Sequence, residues 1–177
     1  MKLLKKLLSV LLILVAIPLL AALFFPSDYE VKTSIEIAQP KDSVYQYLSQ
    51  LKNQSNFGPW AELDPEMKQS FRGTDGTIGF VSRWESNHPQ VGDGEQEITA
   101  MQPGERIDFE LRFETPNEAF ATTYFTTEAK DSLHTKVVWG CAGSIDYPWN
   151  LLLLTDMGEE MEKQFQAGLQ NLKQTLE

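Results

Sequence analysis

General acid or base catalysis needs a titratable side chain held against its substrate. The nearest approach to such a group in this sequence is the trio Glu62, Asp64 and Glu66. Two of these carboxylates brought face to face could divide the roles of acid and base. They fall in an acidic stretch rich in turn formers (Gly58, Pro59, Asp64, Pro65), where solvated surface carboxylates are the simpler expectation. His88, next to Pro89, has no partner nearby in the chain and reads as an exposed loop histidine. His88, His134 and Cys141 are scattered and lack the paired spacing of a zinc site. Gly73, Gly76 and Gly79 match neither a dinucleotide nor a P-loop spacing, and a strand follows them, so they read as turn glycines. No residue is assigned as catalytic, as a metal ligand or as a cofactor contact. The sequence leaves enzymatic activity open and leans towards a non-enzymatic role.

What the spacing gathers instead is a set of aromatic and neutral side chains. Read by strand parity, Ser82, Trp84, Gln96, Phe109, Leu111, Phe113, Val137, Trp139 and Cys141 share an inner sheet face, while Arg83, Asp108, Glu110, Arg112 and His134 fall outside. The expected ligand-binding residues are Trp60, Ser82, Trp84, Gln96, Phe109, Tyr124, Trp139, Met161 and Phe165. Their alternative is an ordinary core, which large aromatics also dominate. As a binding wall they suit a lipid, isoprenoid or polycyclic molecule, with Ser82, Gln96 and Tyr124 supplying a few oriented hydrogen bonds.

Those side chains need a sheet and a helix to hold them. Val31, Thr33, Ile35 and Ile37 alternate with Lys32, Ser34 and Glu36 in a first strand over Tyr29–Ala38. Asp42–Leu51 has helical spacing, and Asn53–Pro65 reads as a second short helix or loop with Trp60 at the domain's mouth or edge. From Met67 on, strands recur between glycine and proline turns, which predicts antiparallel pairing. Ile78, Phe80, Ser82 and Trp84 are expected on one face, and Gln96, Ile98 and Ala100 on another. Ile107, Phe109, Leu111 and Phe113 alternate with Asp108, Glu110, Arg112 and Glu114, and Leu133–Cys141 alternates again. Ala119–Glu128 is ambiguous, because Phe120 and Tyr124 oppose Phe125. The apolar run Tyr147–Leu154 reads as a helix start or loop packed on the core, or else as a bilayer contact or cavity lid. Last, Met157, Met161, Phe165, Leu169, Leu172 and Leu176 form one face of a helix over Asp156–Leu176, with Asp156 and Glu159 spaced as a capping box.

The chain has 177 residues and a formal net charge of −10. Its N-terminal Lys2, Lys5 and Lys6 precede the first acid, Asp28, and without them 12 basic residues face 25 acidic ones, a net of −13. Such a surface repels phosphate backbones, which excludes nucleic acid as the expected partner. The lone Cys141 cannot form an internal disulfide, so the core must carry stability. Leu7–Phe25 is an uncharged run of 19 residues, about 28 Å as a helix, enough to cross the hydrocarbon layer. A cleaved signal peptide is the competing reading, but no small-x-small triplet precedes a cut. The expected division is residues 1–27 as basic segment and transmembrane helix, and 28–177 as one domain. With its lysines retained in the cytoplasm, the helix would place that domain outside the cell membrane, close to the bilayer, since Pro26–Asp28 is too short for a stalk.

The order of strand, two short helices, five or six antiparallel strands and long helix makes an α+β domain. Together with particular residues it resembles the START-like superfamily SRPBCC, and within it the polyketide cyclase/dehydrase and lipid transport group. Pro59, Trp60, Ala61, Asp64 and Pro65 resemble the stretch after its short helices, and Trp84, Asn87, Val91, Gly92 and Gly94 its central hairpin. Thr135, Val137, Trp139 and Gly143 are similar to its last strand, and Phe165, Gly168, Leu169, Leu172 and Lys173 to its closing helix. The resemblance implies a helix-grip fold: a curved antiparallel sheet of six or seven strands around the C-terminal helix, with a cavity between. It implies no reaction, since the fold hosts binding, transport and catalysis. Three roles stay open: a membrane-anchored binder of a hydrophobic molecule or lipid, a cyclase- or dehydratase-like enzyme, and an interaction module of a membrane complex.

Overall fold

Period-two alternation and one helical stripe generate the architecture. The computed structural model describes residues 2–115 and 118–177. In chain order its elements are α1 (Lys2–Ala22), β1 (Asp28–Ile37), α2 (Lys41–Ser49), a 3₁₀ turn (Leu51–Asn56) and α3 (Pro59–Leu63). Then come β2 (Lys68–Arg72), β3 (Val81–Glu85), β4 (Gly94–Gln102), β5 (Arg106–Phe113), β6 (Ala119–Ala129) and β7 (Thr135–Ser144). A second 3₁₀ turn (Trp149–Leu154) and α4 (Met157–Leu176) finish the chain. The seven strands form one curved antiparallel sheet in the order β1-β7-β6-β5-β4-β3-β2. The chain meanders from β2 to β7, and β1 returns to pair with β7 from Asp28↔Ser144 to Ile37↔Thr135. The edge strand β2 is exposed throughout, and Lys68 and Arg72 at its ends discourage pairing with another chain.

Helix α4 is held because its stripe meets the sheet's inner face. Phe165, Leu169 and Leu172 are buried, joined by Ile37, Val44, Leu48, Phe57, Phe109, Phe125, Val137 and Trp139 in one core. The Phe165 ring stacks on Trp139 at 4.7 Å and 13°. A Cβ on Gly168 would lie 2.6 Å from the Trp139 ring and 3.1 Å from Pro59 Cδ, so a glycine is what admits this approach. At the far end Glu177 Oε1 accepts the Ala38 N–H at 2.6 Å, and Gln39 Nε2 donates to the Leu176 carbonyl at 2.7 Å. Those bonds latch the last turn to the end of β1.

Four local expectations are corrected. Asp156 makes no side-chain cap, and α4 begins at Met157, whose N–H reaches only Thr155 Oγ1 at 3.4 Å. Glu159, Glu160 and Lys173 still complement the helix dipole. Ile78 does not share a strand face with Ser82, because Gly79 (φ +86°) turns the chain and β3 starts only at Val81, leaving Ile78 exposed. A bulge between Ile98 and Ala100 reverses parity in β4, so Ala100 lies opposite Asp108 on the outer face while Met101 pairs with Ile107 and packs on the core. The run Tyr147–Leu154 does not pack on the core: Tyr147, Trp149, Leu152 and Leu154 are exposed, and Asn150 is the residue it buries.

Among the described residues, one helix is long and apolar enough to cross a membrane, Leu4–Ala22 in α1. Its C-terminal turn is tied to the domain through Asn150, whose Nδ2 donates to the carbonyls of Ala22 (2.8 Å) and Phe25 (3.0 Å). The contact of α4 with Trp139 yields a paired prediction for the full chain in mild detergent. Gly168→Ala loses about 1–3 kcal/mol in urea unfolding through overpacking, although alanine is the better helix former. Gly158→Ala, whose Cβ would meet only Val31 Cγ2 at 3.9 Å, stays within about 0.5 kcal/mol of the parent or exceeds it. Equal effects at the two positions would show that the helix does not depend on close approach.

Candidate functional site

An open cavity of about 120 Å³ lies between the inner face of β3–β7 and the segment running from the first 3₁₀ turn into α3. Its aromatic wall begins with Trp84 on β3, which meets Phe113 of β5 edge-on at 5.8 Å. Trp84 can lie across β4 because Gly94 has no side chain there: a Cβ would stand 2.6 Å from the indole. Trp60 of α3 meets Trp139 of β7 at 5.8 Å and 74° and Phe165 of α4 at 6.4 Å and 72°, while Phe165 stacks on Trp139, so the three rings pack as a triangle. Leu51, Ala61, Met67, Val91 and Leu111 add apolar surface.

The polar groups in this wall are neutral, apart from Lys52 at the rim. Gln96, buried, and Ser82 and Thr123 come from three strands. Gln54 joins them from the 3₁₀ turn, and its Oε1 is buried without a hydrogen-bond partner. Lys52 is exposed, with its ammonium 4.9 Å from the centroid of Phe71. The 3₁₀ turn carrying Leu51, Lys52 and Gln54 is fixed by Asp75, whose carboxylate accepts the N–H groups of Leu51 (2.8 Å) and Lys52 (3.3 Å). Thus the glycine-rich loop Gly73–Gly79, with positive φ at Gly73, Gly76 and Gly79, positions a wall of the cavity.

Five of the nine residues expected to bind ligand line the cavity: Trp60, Ser82, Trp84, Gln96 and Trp139. Phe109, with about 1% of its surface exposed, is core behind the wall, packed edge-on against Phe125. Phe165 supports Trp139 from behind, and Met161 packs at the margin of the core; neither reaches the cavity. Tyr124 faces the other way. Its hydroxyl donates to Glu30 at 2.9 Å and its ring lies under the Arg106 guanidinium at 3.9 Å, both on the outer face. The inner set of β6 is Ala121, Thr123, Phe125 and Thr127, a period-two pattern that small residues conceal beside the aromatic Phe120 and Tyr124. Among the polar lining residues on strands, parity missed Thr123 and Gln69, and a phase anchored on Phe125 would have recovered the first; Gln54 lies on the 3₁₀ turn and Gln90 in a loop, where parity gives no reading.

The remaining candidates for chemistry are structural. Asp64 Oδ2 accepts the Ser86 hydroxyl at 2.5 Å and Glu62 Oε1 accepts from Asn171 at 2.9 Å, so these carboxylates tie α3 to its neighbours, while Glu66 is exposed. His88 Nδ1 accepts the Gln90 N–H at 3.3 Å within its loop. His134 is half-buried and bonded to Asp131 at 2.8 Å. Outside the sheet, Arg112 bridges Glu95 at 2.7 Å, Glu97 at 2.6 Å and Glu110. Among the described residues no group of three or more His, Cys, Asp or Glu side chains is placed to hold a metal ion.

A curved seven-stranded antiparallel sheet gripping a long C-terminal helix around a cavity defines a helix-grip domain. The family model for polyketide cyclase/dehydrase and lipid transport matches residues 28–177, and the chain belongs to that family, within SRPBCC. Membership supports a ligand-binding domain. No protein of curated function matches the sequence significantly. Similar solved structures include a solution structure from Thermobifida fusca, with TM-score 0.63 at 15% identity over 83% of this chain and 92% of that one. The Aha1 dimer from Colwellia psychrerythraea gives 0.57 at 16% over 84% and 96%. Norcoclaurine synthase from Thalictrum flavum, solved with dopamine and hydroxybenzaldehyde, gives 0.60 at 10% over 86% and 88%. At such identities the likeness is one of fold.

Cys141 lies against Tyr29 at the β1–β7 pairing, and burial pushes its thiol from 9.0 up to about 11, a hydrogen bond with Tyr29 offsetting part of the shift. Burial, and then the neighbouring thiol, push Tyr29 from 10.0 to about 12. Both groups are neutral in the fold where the unfolded chain already ionises. The stability these two groups contribute is therefore fully present below pH 9 and is lost as pH rises through about 11 and 12. Urea midpoints across that range check this, with the decline in Cys141→Ala starting nearer pH 10, where Tyr29 alone remains. A folded thiol that reacts with a disulfide reagent as an ordinary exposed cysteine does at pH 8–9 would contradict it.

Proposed function

We propose that this protein is a membrane-tethered, non-enzymatic module that binds an uncharged, mostly apolar small molecule or a lipid segment. In this reading residues 1–27 are the anchor, with the N-terminus cytoplasmic, and residues 28–177 are the binding domain on the outer side of the cell membrane. The observation that carries it is the cavity wall: three tryptophans with neutral amides and hydroxyls, in which Gln54 Oε1 is buried and unpartnered. Lys52 at the rim is the sole ionisable lining side chain among the described residues, which leaves a general acid–base pair without members. The volume is near the ~150 Å³ of apolar cavities that accept a benzene-sized guest. One ring or a short acyl segment enters, then, and the rest of a larger ligand follows the open mouth.

Native mass spectrometry of the full chain released in mild detergent, followed by organic extraction, tests the binding. A discrete apolar mass is expected to accompany the parent and to be lost, or its affinity to fall at least about tenfold, in Ser82→Phe, which fills the cavity from a partly exposed position. A clean mass together with no uptake of an apolar fluorescent probe would overturn the binding reading. Protease added to cells opened down to the cytoplasmic membrane is expected to digest the domain. Full protection would overturn the orientation.

A further inference from the structure

We propose that the 3₁₀ turn Trp149–Leu154 is a second membrane contact, lying in the headgroup layer beside the exit of α1 and fixing how the domain stands on the bilayer. This rests on the reading of α1 as a spanning helix. Leu4–Ala22 is 19 residues, about 28 Å at helical rise, which matches a hydrocarbon layer of about 30 Å. Ala22 then marks the outer hydrocarbon boundary. Asn150 holds the carbonyls of Ala22 and Phe25, and with about 3% of its surface exposed it forms a closed joint rather than a loose tether. The turn therefore sits at the depth where that boundary lies.

The side chains around the joint suit that depth. Trp149 is 67% exposed, Leu154 59% and Phe24 88%, with Tyr147, Leu152 and Phe25 also open to solvent. No charged residue occurs between Tyr147 and Thr155, while Asp146 and Asp156 bracket the run and limit how far it can sink. Tryptophan and tyrosine are the residues enriched at the membrane–water interface, where an amphipathic ring meets both phases. Exposed apolar groups on this scale need a partner. Continuity with the anchor makes that partner the bilayer. The run carries no basic residue, so the contact is apolar and needs no anionic lipid.

The test uses the full chain in nanodiscs of uncharged phosphatidylcholine, with single nitroxides placed by Trp149→Cys, Leu152→Cys, Leu14→Cys and Leu133→Cys. Leu133 is exposed in the β6–β7 turn and serves as the aqueous reference, and the buried Cys141 stays unlabelled. Collision with oxygen and with a water-soluble nickel chelate reports depth. The oxygen-to-nickel ratio at 149 and 152 is expected to exceed that at 133 severalfold and to remain below that at 14. Ratios at 149 and 152 equal to that at 133, with 14 still rich in oxygen, would overturn the contact and leave the anchor intact. Low access to both reagents at 149 and 152 would mean a second copy or another protein covers the patch, and would equally overturn it. A nickel-accessible label at 14 would refute the spanning helix, and this inference with it.

Discussion

The stack of Trp139 on Phe165, admitted by Gly168, is the contact on which the rest of the domain depends. It joins the strand at the centre of the β1–β7–β6 pairing to the helix that the sheet grips. From Trp139 the aromatic packing spreads to Phe125 at 4.9 Å, to Phe57 at 6.0 Å and to Trp60 at 5.8 Å. One indole thus touches the core on one side and the cavity on the other. Such aromatic pairs add about 0.5–1.5 kcal/mol each beyond their buried area, so a shift of α4 would be felt in several contacts at once. The cavity stays open because this packing is complete just beneath it: Phe109 and Phe165 fill the volume behind the wall and leave the space in front to Trp60 and Trp84.

The division of polar groups follows from the same geometry. Alternation sends Arg112, Glu95, Glu97 and Glu110 to the outer face of β4 and β5, where the three carboxylates share one guanidinium in partly solvated ion pairs. What remains inside is short or uncharged: Ser82, Gln96 and Thr123. An ionised group there would lose its hydration without gaining a counter-charge. In the proposed binding reading the site accordingly discriminates by shape and by a few hydrogen bonds, and affinity rests on how well the tryptophans are covered.

Most of the fold was legible in the sequence because each strand of the β5–β7 sheet half buries one face and most turns carry glycine or proline. Ile107-x-Phe109 and Val137-x-Trp139 announce their inner faces, and Met157 to Leu176 announces the gripped helix. Two of the misreadings share a cause, which is that side-chain parity holds only while the ladder is unbroken. The β4 bulge inverts Ala100 and Met101, and the turn at Gly79 detaches Ile78 from β3. In β6 the inner residues beside Phe125 are two threonines and an alanine, so the larger Tyr124 takes on sequence the inner place that belongs to Thr123. The depth of a cavity is less legible still. Phe109 and Phe165 satisfy every sequence criterion for lining it, yet they are one layer too deep, and only the volumes of Trp139 and Phe125 in three dimensions decide that.

Charge and anchoring are linked by a final constraint. With −13 on the residues after the N-terminal segment, the domain has no electrostatic attraction to an anionic lipid surface, and within a Debye length of about 8 Å it is repelled. The five-residue link Leu23–Ser27 between α1 and β1, closed by the Asn150 bonds to Ala22 and Phe25, nonetheless keeps the near end of the domain at the bilayer if α1 spans. In the proposed placement, apolar contact at the uncharged Trp149–Leu154 turn, joined to α1 through Asn150, offsets that repulsion. The same turn leads within three residues into α4, whose Phe165 stacks on Trp139, so in the proposed placement only Thr155 and Asp156 separate the membrane contact from the gripped helix.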